Sequence, residues 1–152
     1  MVPIPATVEN TVVIAAPFDT VWTMTNDVPS WPDLFTEYAA AEVLERRGDA
    51  VVFRLTTVPD PDGAVWSWVS ERVPDRAART VRAHRIETGP FEFMDITWTY
   101  AQTPAGVELR WRQEFAMKAG FRFDDDHMKA RLDATTKVQM AHVKDVVERA
   151  AR

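Results

Sequence analysis

The sequence of 152 residues contains no cysteine, which excludes disulfide bonds, thiol nucleophiles, cysteine-based zinc sites and iron–sulfur centres. With only five glycines, it contains neither a P-loop nor a Gly-x-Gly-x-x-Gly phosphate-binding pattern. The three histidines, His84, His127 and His142, do not have the spacing of a zinc site. We therefore expect no metal centre.

Long apolar runs are also missing, because no stretch approaches the roughly 18 residues that a membrane-spanning helix needs. The first ten residues include Glu9 and two prolines but no basic segment, which is unlike a signal peptide. The chain has no excess of positive charge, since 23 acidic residues against 18 basic ones leave a net charge of -5. This acidity argues against a nucleic-acid surface. We expect a cytoplasmic protein that binds neither nucleic acid nor membrane.

Hydrophobic residues make up 46% of the chain, which is too high a share for a disordered segment. The length fits one domain of ordinary size, and we expect a single domain over residues 1–152. The unusual feature is the aromatic content, with six tryptophans and eight phenylalanines but only two tyrosines. Six tryptophans are many for one small core, so some of them are candidates for the lining of a cavity.

Hydrophobic periodicity predicts the order of the secondary-structure elements. The β-branched run at 11–14 indicates a first strand over 7–15. Pro17 then suits the first turn of a short helix that ends near Asn26, and a second short helix is predicted around 31–35. From 38 to 117 turn signals recur at strand spacing, and the segments 94–100 and 107–117 alternate apolar and polar residues. Such alternation is typical of antiparallel strands with one buried face.

The C-terminal third has helical periodicity, with an apolar stripe from Met128 to Val147 and no glycine or proline after 121. The run 124–126 of three aspartates, followed by His127, resembles a metal-ligand cluster but fits better as a helix N-cap. At 1.5 Å per residue the helix would be on the order of 35–40 Å long, enough to cross a whole sheet.

Polar residues interrupt both predicted inward faces. Thr135, Thr136 and Gln139 lie in the middle of the helical stripe, and Gln113 lies on the apolar face of the last strand. Polar groups on inward faces need partners. Two interpretations stay open, in which these groups either bond one another or line a solvated pocket between sheet and helix.

The segment 64–72 is the most informative part of the sequence. On a strand, Trp66, Trp68, Ser70 and Arg72 would point the same way, forming an apolar wall that ends in hydrogen-bond donors. An inward arginine is costly unless it is paired or solvated. Arg72 could therefore end the strand, reach water and meet a carboxylate such as that of Glu71 or Asp75, or it could face a pocket.

Three runs of the sequence resemble the aromatase/cyclases of bacterial type II polyketide synthases, most closely the monodomain tetracenomycin and spore-pigment members. These runs are 26–27 with 31–38, then 65–72, then 79–91, and the likeness spans nearly the whole chain. The resemblance implies an α+β helix-grip fold of the START-like, Bet v 1-like superfamily. In that fold a curved antiparallel sheet of about seven strands wraps around a long C-terminal helix. Two short helices follow the first strand, and the fold encloses a cavity.

The resemblance further implies a role in antibiotic or spore-pigment biosynthesis. Members of the family fold a poly-β-ketone chain and close its first ring by aldol condensation, here expected between carbon 9 and carbon 14. They then aromatise the ring by dehydration, using no metal or cofactor. The implied partners are an acyl carrier protein that bears the chain and the minimal ketosynthase/chain-length factor. A monomer or weak homodimer is expected.

Carried over position by position, the family's catalytic residues fall on Arg72, Tyr38 and Ser70. A guanidinium has a pKa above ~12, so Arg72 is expected to act as a fixed cation beside an enolate or alkoxide oxygen. Tyr38, whose reference pKa is ~10, is the expected proton donor, and Ser70 would orient a water or the substrate carbonyl. The expected substrate-binding residues are Trp31, Phe35, Trp68, Phe91, Met94, Trp98, Gln113 and Gln139. Where the family has asparagine, this chain has the longer Gln139. Trp22 and Trp111 are expected in the ordinary core, while Trp66 is ambiguous.

Two other functions are compatible with the same fold. The protein could be a non-catalytic carrier or chaperone of a hydrophobic aromatic ligand, or a dehydratase that acts after spontaneous ring closure. Because acyl carrier proteins are acidic and this chain is acidic too, docking would need a local basic patch. The sequence candidates for that patch are Arg46, Arg47, Arg82 and Arg85.

Overall fold

The architecture was analysed in a computed structural model, which describes residues 4–152. Seven antiparallel strands form one sheet in the spatial order β1-β7-β6-β5-β4-β3-β2. The strands are β1 Ala6–Ile14, β2 Tyr38–Arg47, β3 Ala50–Thr57, β4 Ser67–Asp75, β5 Thr80–Arg85, β6 Phe91–Thr103 and β7 Gly106–Met117.

Strands β2 to β7 form a meander, because each pairs with the next along the chain, whereas β1 pairs with β7 at the far edge. The chain crosses from one edge of the sheet to the other through two short helices, α1 Phe18–Asn26 and α2 Trp31–Leu34, with a 3-10 turn at Val28–Ser30 between them. The predicted period-two pattern of β7 is confirmed, since alternate residues from Val107 to Met117 are buried. The predicted element order and the helix-grip architecture are also confirmed.

The long helix α3 spans Asp125–Ala150. The Asp124 carboxylate accepts a hydrogen bond from the His127 backbone N–H at 2.8 Å, which confirms the interpretation of this aspartate as an N-cap. The Asp125 carboxylate accepts from the backbone N–H of Met117 at 2.7 Å and so ties the start of α3 to the end of β7. Within residues 4–152 no cluster of His, Asp and Glu side chains could hold a metal ion.

The C-terminal half of α3 is held against β1. Lys144 Nζ donates to the backbone carbonyl of Val13 at 2.7 Å and pairs with Glu148, whose carboxylate also accepts from the Ala15 N–H at 2.7 Å. Val147, in the same turn of the helix, is fully buried in the main core. None of the helices described is both long and apolar enough to cross a membrane.

The buried residues form two clusters. The larger contains Trp22, Trp31, Trp98 and Trp111 together with the end of α3, and the smaller surrounds Phe115 near the start of that helix. Both clusters contribute walls to a cavity that α3 covers with Leu132, Thr135 and Thr136.

Candidate active site

An internal cavity of about 130 Å³ lies between the sheet and α3, and we call it the inner cavity. Nine of the eleven predicted site residues line it: Trp31, Phe35, Tyr38, Trp68, Ser70, Arg72, Met94, Trp98 and Gln113. The sheet positions most of these residues, because β4 and β6 present alternate side chains to the same side. The structure thus brings all three predicted catalytic residues into one cavity.

A second depression of about 410 Å³, which we call the outer groove, adjoins the inner cavity. The two predicted residues that do not line the inner cavity, Phe91 and Gln139, lie here. The boundary between the two spaces, which we call the neck, consists of the residues that line both: Glu37, Trp68, Arg85, Leu132 and Thr135. The groove and the cavity therefore adjoin at the neck.

Arg72 is 2% exposed, which excludes the interpretation in which its side chain reaches water at a strand end. Within the part of the chain described, it has no carboxylate partner, and neither Glu71 nor Asp75 pairs with it. Its Nη2 donates to Asn26 Oδ1 at 2.9 Å. Its guanidinium carbon lies 4.8 Å from the ring centroids of both Trp31 and Trp98, within cation–π range.

Burial lowers the pKa of Arg72 to about 10, although the nearby Tyr100 and Tyr38 hydroxyls act in the opposite direction. The guanidinium therefore stays charged at neutral pH. Its Nε is buried and has no hydrogen-bond partner among residues 4–152. A buried cation without a compensating anion is costly in the empty protein. The same cation is well suited to stabilise negative charge that develops on a bound oxygen.

Asn26 at the end of α1 is a positioning residue that the sequence analysis missed. Its Nδ2 donates to the Trp22 carbonyl at 2.9 Å, which fixes the amide so that Oδ1 faces Arg72. The neighbouring Thr25 carbonyl accepts from the Trp31 indole N–H at 3.2 Å. The end of α1 therefore orients both the cation and one of its aromatic walls. The signal was present, because residues 26–27 belong to the runs that carry the family resemblance.

Tyr38 is enclosed by aromatic rings, with centroid distances of 5.3 Å to Phe35, 6.1 Å to Trp31 and 6.2 Å to Trp68. Burial raises the pKa of Tyr38 well above its ordinary value, and the adjacent Glu37 carboxylate adds to this effect. The hydroxyl therefore keeps its proton at neutral pH, as a proton donor must.

Two charged residues, Glu37 and Arg85, line the neck. The sequence analysis did not predict that either of them lines the cavity. Burial raises the pKa of Glu37, although the Tyr38 hydroxyl and the Arg85 guanidinium lower it in part. Burial lowers the pKa of Arg85 to about 10, and its guanidinium carbon lies 4.0 Å from the Trp68 ring centroid and 4.7 Å from that of Phe91. The neck therefore holds a carboxylate with raised proton affinity next to the Tyr38 hydroxyl.

The two predicted glutamines differ in their partners. Gln113 Nε2 donates to Thr136 Oγ1 at 2.9 Å, so two inward polar residues bond each other and also line the cavity. Gln139 instead forms a two-point clip with Thr36, in which Oε1 accepts from the Thr36 N–H at 2.9 Å and Nε2 donates to its Oγ1 at 2.8 Å. The extra length of this glutamine reaches the segment that carries Glu37 and Tyr38.

The tryptophans occupy several environments. Trp22 lies in the core, as predicted, whereas Trp111 belongs to the core and also forms part of the cavity wall. Trp66, which the sequence left ambiguous, lines the outer groove together with Trp68. It precedes β4 and is 36% exposed, and its indole N–H donates to the loop carboxylate of Asp60 at 3.3 Å.

The sequence and the fold are both similar to those of known polyketide cyclases. The family model described as "Polyketide cyclase / dehydrase and lipid transport" matches residues 14–144. A Streptomyces halstedii protein described as a polyketide cyclase is 71% identical over 103 residues, covering 68% of this chain and 94% of that protein. A Streptomyces cyaneus protein with the same description is 52% identical over 140 residues, 92% of each chain.

Among solved structures, the Zhui aromatase/cyclase from Streptomyces sp. R1128 superposes with a TM-score of 0.87 at 26% identity. The match covers 97% of this chain and 96% of that protein, so the likeness extends over the entire helix-grip fold. The extent of the family match and the identity to both Streptomyces proteins lead to one conclusion. The chain belongs to the polyketide cyclase/dehydrase and lipid transport family.

Proposed function

We propose that this protein is an aromatase/cyclase that acts on a poly-β-ketone chain held as a thioester on an acyl carrier protein. It closes the first ring by aldol condensation, between carbon 9 and carbon 14, and aromatises that ring by dehydration without a metal or cofactor. One observation carries the proposal: the unpaired cation of Arg72 is buried in an aromatic cavity beside the protonated hydroxyl of Tyr38.

Positioning is the first contribution of the cavity. A poly-β-ketone is flexible and can close several rings, so a regiospecific cyclase must hold one methylene against one carbonyl. The indole walls of Trp31, Trp68 and Trp98 match the flat, conjugated ring that forms. The cavity walls also keep bulk water away from the chain, and in water unguided cyclisation would compete with the directed ring closure.

Charge stabilisation and proton transfer complete the aldol step. The Glu37 carboxylate removes a proton from the methylene between two carbonyls, and Arg72 stabilises the enolate oxygen that results. The enolate carbon then forms a bond to the second carbonyl carbon, whose oxygen takes the Tyr38 proton and becomes an alcohol. Protonated Glu37 returns its proton to the Tyr38 oxygen, so both groups end in their starting states. Ser70 orients the attacked carbonyl from the same wall as Arg72.

Dehydration uses the same groups in the same roles. Glu37 takes the remaining proton from the nucleophilic carbon, and the carbon–oxygen bond breaks as Tyr38 protonates the departing hydroxyl. Water leaves, a carbon–carbon double bond forms, and Glu37 again restores the Tyr38 proton. Enolisation of the remaining ring carbonyls then gives the aromatic ring.

The test is product analysis after the protein is combined with a minimal type II polyketide synthase of known chain length. The wild-type protein is expected to direct the first ring to one position, while Arg72→Met releases spontaneously cyclised shunt products. A non-catalytic carrier would bind an aromatic product and yet leave the first-ring position unaltered by its presence. That outcome, with folded protein, refutes the proposed activity.

Tyr38→Phe separates cyclisation from later dehydration. If Tyr38 protonates the oxygen in both steps, this variant slows ring closure as well as water loss. A dehydratase that acts after spontaneous closure would show altered dehydration with an unchanged ring position. Mass spectrometry distinguishes the two, because the undehydrated ring retains one molecule of water.

A further inference from the structure

Three basic side chains surround one phenyl ring at the edge of the outer groove. The guanidinium carbons of Arg122 and Arg131 lie 4.7 Å and 5.3 Å from the Phe123 ring centroid. The His127 imidazole stacks on the same ring at 4.1 Å with an interplanar angle of 5°. We call Arg122, His127 and Arg131 around Phe123 the basic rim.

The basic rim has no anionic partner in the structure. None of the ion pairs found among residues 4–152 involves its members, although other exposed arginines, such as Arg47 and Arg112, are paired at 2.8 Å. Two carboxylates at the start of α3 have backbone partners, since Asp124 accepts from the N–H of His127 and Asp125 from that of Met117. Asp60, across the groove, accepts from the backbone N–H groups of Ala64 and Asp62 at 2.9 Å; the Ala64 bond lowers the pKa of Asp60 most, and the charge of Arg131 adds a smaller part.

The rim also lies on the way into the site. Phe121, Arg122, Phe123 and Arg131 all line the outer groove, which adjoins the inner cavity at the neck. A substrate that reaches the inner cavity through the groove therefore carries whatever it is attached to past the two arginines.

We propose that the basic rim binds the phosphodiester of the pantetheine arm by which a carrier protein presents its thioester; this inference rests on the proposed function. The arm is slim, with a gem-dimethyl group, a hydroxyl and two amides along its length and one phosphodiester anion at the carrier end. A groove with a phenylalanine floor and two guanidinium groups at its edge is complementary to such an arm. Guanidinium groups suit phosphate because their fork of donors matches its oxygens.

Charge considerations favour this surface over the other basic residues. The chain has a net charge of -5, so it does not attract an acidic carrier at long range. The attraction must come from a local cluster of cations at the docking surface. Arg46 and Arg47 lie at the far end of β2, about 30 Å along the strand from Tyr38 at ~3.3 Å per residue. Arg82 and Arg46 are absent from the walls of the cavity and the groove, whereas Arg85 lies at the neck.

The test compares the double variant Arg122→Gln/Arg131→Gln with the matched control Arg46→Gln/Arg82→Gln. All four arginines are exposed, so both variants are expected to keep the wild-type fold. Binding of a fluorescent type II polyketide acyl carrier protein is measured with the pantetheine arm present (holo) and absent (apo). Cyclisation is measured with carrier-bound substrate and with the same chain as an N-acetylcysteamine thioester, which lacks the phosphate.

The rim variant is expected to bind the holo carrier about tenfold more weakly, a loss of ~1.4 kcal/mol. It is also expected to cyclise carrier-bound substrate correspondingly more slowly. Its rate with the N-acetylcysteamine thioester should be that of the wild type, and the control variant should match the wild type throughout. Unchanged holo-carrier binding, or an equal loss of apo-carrier binding, overturns the proposed phosphate site. Failure of the wild type to cyclise either substrate instead refutes the proposed function, while the binding measurement still tests the rim.

Discussion

Replacing Arg72 with methionine is expected to make the protein more stable and to remove its control over ring closure. The two effects have one cause: among residues 4–152 no carboxylate pairs with the buried guanidinium, so its charge is useful only when an oxygen anion is present. Methionine has a similar volume and no charge, so the substitution removes the cation without opening a large cavity.

The size of the effect follows from the environment of the side chain. Burial lowers the pKa of Arg72 to about 10, and relative to an ordinary value above ~12 this corresponds to a cost on the order of 3 kcal/mol. Two losses oppose the gain. Asn26 Oδ1 loses its donor, at roughly 1 kcal/mol. The cation–π contacts with Trp31 and Trp98, ~1 kcal/mol each, are replaced in part by thioether–aromatic contacts. We expect a net stabilisation of about 1 kcal/mol, or ~2–4 °C in Tm.

The assay combines urea unfolding with product analysis in the reconstituted synthase. Arg47→Met is the matched control, because Arg47 is exposed on the β2–β3 hairpin and forms a surface ion pair with Glu45. That variant should change the free energy of unfolding by less than ~1 kcal/mol and leave the products unaltered. A folded Arg72→Met protein that is less stable by about 2 kcal/mol or more, and that still yields wild-type products, refutes the reasoning. In that case the arginine is a structural element and not a preorganised charge.

Three further substitutions test the surroundings of the cavity. Burial raises the folded-state pKa of Glu37 above 4.5, so between pH 4.5 and this raised pKa the native carboxyl binds more protons than the unfolded one. The free energy of unfolding therefore falls as the pH rises through this interval. Glu37→Gln should remove this pH dependence of the free energy of unfolding, measured with urea. It should also abolish the decrease in cyclisation rate at acidic pH. Gln139→Leu should cost about 1–3 kcal/mol and lower kcat, since both its bonds to Thr36 are lost; unaltered stability and rate would argue against the clip. Gly106→Ala should destabilise by more than ~2 kcal/mol, measured by urea unfolding, because its Cβ would lie 2.2 Å from the Ile14 carbonyl oxygen; a smaller loss would mean that the turn can shift.

Much of the fold was predictable from local pattern. A strand side chain changes face at every residue, so the alternation from Val107 to Met117 identified both the strand and its buried side before any partner was known. Asp124 could be recognised as a cap because its bond to the His127 N–H spans only three residues. The family resemblance covered nearly the whole chain, and nine of the eleven site residues it indicated line one cavity.

The environment of those residues was not predictable, because it depends on contacts between distant parts of the chain. Whether Arg72 met water or a pocket was decided by Asn26, 46 residues away, and by rings from α2 and β6. Gln139 lines the outer groove, and its amide is also clipped to Thr36, 103 residues earlier, which its sequence position did not indicate. Trp66 follows the expected alternation in sequence, yet Asp60 holds its indole in the outer groove.

The sequence by itself thus determined which segments are strands or helices and which side chains point inward, because those properties repeat over two to four residues. Only the tertiary structure decided the electrostatics of the site. Glu37 and Arg85 both line the neck although 48 residues separate them in the sequence, and burial shifts the pKa of each. The basic rim arises in the same way, from the packing of Arg122 and Arg131 on one ring. Proton affinity and charge depend on what surrounds a group in space, and spacing along the chain does not specify that.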